Sequence, residues 1–151
     1  MASRRRAREF ALQALYEADL AERPITTALA DLWSGLVDGE GLDDGRAPES
    51  EEVEFAQLLA MGVAERQTEI DALIDACSTN WRLSRMPVVD RNILRMSAVE
   101  LQTRNDSPPN VTINEAVELA KRFGTAESRA FVNGMVDRMA RQIGRLPRKD
   151  S

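Results

Sequence analysis

Residues 87–103 read PVVDRNILRMSAVELQT. Val89, Ile93, Leu94, Met96, Ala98, Val99 and Leu101 recur at helical spacing but on nearly every side of the helix. Such a helix has no face to give to water and belongs in the middle of a bundle. Pro87, which lacks an N–H and has its φ fixed, predicts a start near Val88 and a run to about Thr103.

Working outward, every neighbouring segment has helical periodicity and none alternates like a strand. Upstream, residues from about Ser50 to Ser78 predict one long helix or two joined near Gln67. Val53, Ala56, Leu59, Val63, Ile70, Leu73, Ile74 and Cys77 face inward, which makes the only cysteine a core residue. Downstream, NDSPPN (105–110) is a break. Thr112 with Glu115 three residues on predicts a capping box opening a helix that Gly124 ends. A last helix is predicted from about Glu127 to Ile143, with Val132, Met135, Val136, Met139 and Ile143 inward and Gly144 as its stop. At the N-terminus Ala7, Phe10, Ala11, Ala14, Leu15 and Ala18 form one stripe of a helix capped by Ser3. Pro24 is expected at the first position of a second helix carrying Ile25, Ala28, Leu29, Leu32, Trp33 and Leu36 inward. The fold class is all-α, in one domain covering residues 1–151.

The net charge of −5 conceals a strong asymmetry. Residues 38–54 hold eight acids and one base, a local −7 that leaves +2 for the rest of the chain. Within that stretch, residues 38–49 lack periodicity and predict a mobile acidic loop. Both ends are basic: Arg4, Arg5, Arg6 and Arg8 at one, Arg138, Arg141, Arg145, Arg148 and Lys149 at the other. Four cations at a helix N-terminus oppose the helix dipole, a cost that an anionic ligand would offset. At 100° per residue, Arg5, Leu12 and Tyr16 share the side away from the core stripe. On the last helix, Phe131 lies at the edge of the apolar stripe, in line with Arg138 and Gln142. Rings beside guanidinium groups suit single-stranded nucleic acid, whose bases stack while its phosphates are held. Phe131 and Tyr16 also suit packing against another helix.

Catalytic and metal chemistry find little support. The chain has no histidine and one cysteine, so it lacks the commonest general base and the usual zinc ligands. The glycines of GEGLDDG (39–45) precede no Lys-Ser or Lys-Thr pair and make no phosphate cradle. The expectation is a non-enzyme with no cofactor, no metal, no membrane span and a cytoplasmic location.

RRRAREFALQALYEAD (4–19), PVVDRNILRMSAVEL (87–101) and VTINEAVELAKRFG (111–124) followed by SRAFVNGMVDRMA (128–140) together resemble the NusB family of bacterial transcription antitermination factors. The resemblance covers nearly the whole chain and is loosest at about 38–50. It implies about seven helices in two subbundles and binding of boxA RNA from ribosomal RNA leader transcripts. The implied partners are NusE, a small-subunit ribosomal protein, and, indirectly, other antitermination factors and RNA polymerase. Matched residue by residue, it implies RNA contacts for Arg4, Arg5, Arg6, Arg8, Tyr16, Lys121, Arg122, Glu127 and Phe131. It places Tyr16 and Asp90 at the NusE surface. Glu127 stands where some members have aspartate. Two other readings stay open on the residues: a helical scaffold that binds only proteins, including a second copy of itself, and a stand-alone relative of the RNA-binding module of ribosomal RNA methyltransferases, whose chains continue into a further domain.

Overall fold

The computed structural model describes residues 2–36, 46–103 and 106–147. Among them are six α-helices and one short 3-10 turn, and no strand. The residues fall into two compact units, one up to Ala64 and the other from Glu65 on.

The first unit contains α1 (Arg4–Ala21), α2 (Ile25–Leu36) and the first part of α3 (Ser50–Cys77). Ser3 caps α1 as expected, accepting from the Arg6 amide at 3.2 Å. Glu22 closes the helix in the left-handed region, at φ 53°. Pro24 stands one residue ahead of its expected place: its carbonyl accepts the first helical bond, from the Ala28 amide, at 3.1 Å. The apolar stripes of α1 and α2 bury Phe10, Leu15, Leu29 and Leu32 together with Leu59 and Val63 of α3. Phe10 and Trp33 meet edge to face, with ring centroids 5.6 Å apart. Leu12, expected on the arginines' outer side, is buried as well.

Glu52 organises the polar side of this unit. Its carboxylate, fully buried, accepts from the Ser3 amide at 2.9 Å, the Glu49 amide at 2.9 Å and Arg6 Nη1 at 3.0 Å. Arg46 approaches the same carboxylate at 3.6 Å. Burial alone would raise the carboxyl's pKa, but the two amides and two guanidinium groups outweigh it and hold the group below its ordinary value. Of the predicted acidic loop, residues 38–45 lie outside the described residues. Residues 46–49 do not behave as a free loop, because Arg6 also donates to the carbonyls of Arg46 and Ala47.

The second unit contains the rest of α3, the turn Leu83–Arg85, α4 (Val88–Thr103), α5 (Pro109–Phe123) and α6 (Ser128–Gln142). Helix α3 runs continuously in sequence but loses helical geometry at Arg66 (φ −125°, ψ 27°), next to the expected junction at Gln67. Helix α4 occupies the centre, as its all-round apolarity predicts, with Asp90 and every residue from Asn92 to Leu101 buried. Its buried charged groups are matched. Arg95 forks onto Asp71 at 2.9 and 3.1 Å, and Glu100 accepts from Thr112 Oγ1 at 2.7 Å.

That last bond corrects the capping-box reading. Helix α5 begins at Pro109, within the segment taken for a break, with the Pro108 carbonyl accepting from Val111 and Thr112. Thr112 is a buried link to α4, and the Pro-Pro pair fits because a first helical turn needs no N–H donors there. At the other end of α5, Gly124 caps the helix with extended backbone (φ −95°, ψ −167°). A Cβ there would lie 2.5 Å from Ser128 Oγ and 2.8 Å from the Ala120 carbonyl oxygen, so close approach rather than a left-handed turn demands glycine. No helix among the described residues is long and apolar enough to cross a membrane.

Candidate nucleic-acid interface

The arginine arm of α1 divides into an outer and an inner pair. Arg4 and Arg5 are exposed, whereas Arg6 is half-buried on Glu52 and Arg8 is 4% exposed. Phe55 lies beneath the guanidinium groups of Arg4 and Arg8, at 5.1 and 5.3 Å, and Phe10 beneath that of Arg6 at 5.2 Å. Cation–π contacts and the Glu52 ion pair thus hold the bases of this arm in place. The result is a cationic surface whose outer members face solvent. Tyr16, two turns further along α1 than Arg8, is 39% exposed.

The turn from α5 to α6 carries the second group of expected residues. Lys121 and Arg122 are exposed in the last turn of α5, where cations suit the helix dipole, and Arg122 sits over the exposed Phe123 ring at 5.2 Å. Glu127 is exposed immediately before α6 and accepts from Thr125 Oγ1 at 3.3 Å. Phe131 follows one turn later, half-buried. Its ring packs against Trp81 at 5.2 Å, an exposed aromatic that periodicity missed because residues 78–82 are not helical.

Asp90 is not on a surface. It is 2% exposed and accepts from Ser128 Oγ at 2.7 Å, while Ser128 Oγ itself accepts from the Thr125 amide at 2.9 Å. Burial pushes the Asp90 carboxyl upward and the Ser128 bond only partly opposes this. Asp90, which the resemblance places at the NusE surface, is thus interior in the free chain, where it anchors the α5–α6 turn to the start of α4. Lys121, Arg122, Glu127 and Phe131 all stand on or beside that anchored turn.

The basic C-terminal residues are largely committed to structure. Arg138 Nε donates to the Cys77 carbonyl at 3.0 Å, Arg141 pairs with Asp137 at 2.9 Å, and Arg145 donates to the carbonyls of Leu101 and Ser107. Arg148 and Lys149 lie outside the described residues. Cys77 is buried as expected, and burial raises its thiol pKa, with Arg138 opposing in part. No acid or cysteine cluster suited to a metal ion occurs among the described residues.

A basic helix end and a braced aromatic turn are found on an all-helical frame whose residues 5–141 match the model of the NusB family. The chain belongs to the NusB family. It is 46% identical over 140 residues to the transcription antitermination protein NusB of Myxococcus xanthus, covering 93% of this chain and 96% of that protein. The protein of the same name from Sorangium cellulosum is 43% identical over 148 residues, covering 98% and 99%. Among solved structures, T. maritima NusB superposes with a TM-score of 0.80 at 35% identity over 94% of each chain. A chain from a crystal structure of antitermination factors NusB and NusE in complex with double-stranded RNA shares the fold, with a TM-score of 0.77 at 22% identity over 92% of this chain and 96% of that one. Members of the NusB family are antitermination factors and not enzymes.

Proposed function

We propose that this protein is a cytoplasmic transcription antitermination factor that binds boxA-type single-stranded RNA together with NusE and joins the antitermination complex on RNA polymerase. The observation that carries the reading is 46% identity over nearly the full length of an antitermination protein, on a fold also found beside NusE and RNA. The surface chemistry supports it. Arg4 and Arg5 supply exposed positive charge for phosphates, while Arg6 and Arg8 hold that surface in shape. Tyr16 serves the RNA and NusE surfaces together. Lys121, Arg122, Glu127 and Phe131 form a second RNA contact on the turn that Asp90 anchors. Phosphate contacts position an RNA without selecting it, so selectivity for boxA falls to the aromatic and polar groups and to NusE.

Salt dependence tests the phosphate contacts. On a single strand, the log–log slope of affinity against salt is about −0.7 per neutralised phosphate. The double variant Arg4→Ala/Arg5→Ala should therefore show a slope shallower by about 1.4, with helicity by circular dichroism unchanged. Titrating a short boxA-like RNA and an unrelated one across a salt series measures both slope and selectivity. A slope equal to that of the parent would remove the arm from the RNA site.

A further inference from the structure

The described residues of the second unit display an exposed aromatic, Trp81, that the readings above leave unused. Trp81 is 43% exposed, and its ring lies 5.2 Å from that of Phe131, tilted by 58°. An indole left so open forgoes much of the free energy that burial would give it. It is nevertheless firmly held. Ser78 Oγ donates to the Trp81 carbonyl and accepts from the Trp81 amide, and the Leu83 amide donates to Asp75 Oδ1 at 2.8 Å. Arg138 of α6 ties down the Cys77 carbonyl one residue before this turn, and Leu83 and Met86 bury their side chains just after it. The ring is thus presented on a preformed mount instead of a free loop.

The segment's own charge is of one sign. Residues 78–85, STNWRLSR, contain two arginines and no acid, and both Arg82 and Arg85 are exposed. Arg138 adds a third cation from α6, its Nε held on the Cys77 carbonyl while the residue as a whole remains exposed. An apolar protein partner would not call for three guanidinium groups around its anchor; a polyanion with flat rings would. Every nucleobase offers a π face, and the flanking phosphates meet the arginines.

We propose that Trp81 and Phe131 together form a stacking platform for one base of the bound single-stranded RNA, with Trp81 supplying the open face and Arg82, Arg85 and Arg138 the phosphate contacts. This rests on the RNA-binding reading given above, and extends the site from the α5–α6 turn to the segment after α3.

The test pairs Trp81→Leu, which keeps an apolar group against Phe131 but removes the π face, with boxA-like RNAs carrying a single abasic site at each position in turn. Trp81→Leu should melt close to the parent and lose about 5- to 140-fold in affinity for intact RNA. At one RNA position the abasic site should weaken binding to the parent by a similar factor and leave binding to Trp81→Leu unchanged. A second measurement does not depend on that variant's stability: Trp33→Phe leaves Trp81 as the only indole, whose emission should be quenched on RNA binding. Parent-like affinity of Trp81→Leu, abasic effects that add in full, or unquenched emission on RNA binding would each overturn the platform and leave RNA binding intact. Loss of NusE capture with unchanged RNA affinity would also overturn it, by giving the patch to a protein. Failure of the parent to bind boxA-like RNA, alone or with NusE, would overturn the RNA-binding reading and the platform with it.

Discussion

Glu52→Ala should destabilise the protein by about 3–5 kcal/mol, the range for breaking a buried charge network by removing one member. The substitution strands the Ser3 and Glu49 amides and leaves the half-buried Arg6 guanidinium without its carboxylate. At roughly 2–4 °C per kcal/mol for a chain of this size, the melting temperature should fall by roughly 6–20 °C. The sign of the pH dependence follows from the shift. The folded carboxyl titrates below its ordinary value of 4.5, so its contribution is fully present above that value and is lost as pH falls through the folded pKa. The stability gap between the parent and Glu52→Gln should therefore be widest near neutral pH and close in acid. A gap that stays constant from pH 7 down to the acid transition would mean that the charge on Glu52 contributes nothing.

Asp90→Lys should be as severe, for a different reason. The acid accepts from the Ser128 hydroxyl, inside a helix start that favours negative charge, so the variant buries a cation against the dipole and removes the acceptor of the Ser128 hydroxyl. A loss of about 3–5 kcal/mol is expected, again from an uncompensated buried charge. The carboxyl is raised above its ordinary 3.8, so the linkage runs opposite to that of Glu52. Its ionisation costs stability above the folded pKa, and that cost disappears as pH falls below the unfolded value. Asp90→Asn, which keeps an acceptor for Ser128 without the charge, should retain most of the parent's stability at neutral pH. Paired melting and NusE-capture measurements separate the two roles. A well-folded Asp90→Lys protein that fails only in capture would put Asp90 at the NusE surface, as the resemblance implies.

Helix content was readable because burial imposes its period on the sequence: the α4 stretch, the Ser3 cap, the Gly124 stop and the break near Gln67 all follow from local rules. What escaped was pairing over distance. Arg6 and Glu52 are 46 residues apart, one read with the arginine arm and the other with the acidic stretch, until the fold brought them together. Thr112 and Glu115 satisfied the spacing of a capping box, but the stronger claim on the threonine came from Glu100 on another helix. Asp90 sits in a first helical turn, where acids are common on surfaces, and only packing against Ser128 shows it to be interior. Trp81 had no period to betray it, since the segment before the 3-10 turn is held by side-chain bonds to its own backbone.

The buried thiol of Cys77 gives the molecule a built-in clock. It is the chain's single sulfhydryl, so a thiol-reactive reagent produces one signal with one source. With the thiol sealed in the core, reaction waits for the end of α3 to part from its surroundings, and the labelling rate counts those openings. The Trp81 turn begins one residue later, tied to α6 through the Cys77 carbonyl. Any ligand that grips only the closed form of that turn lengthens the interval between openings by a factor of one plus the ratio of free ligand concentration to its Kd.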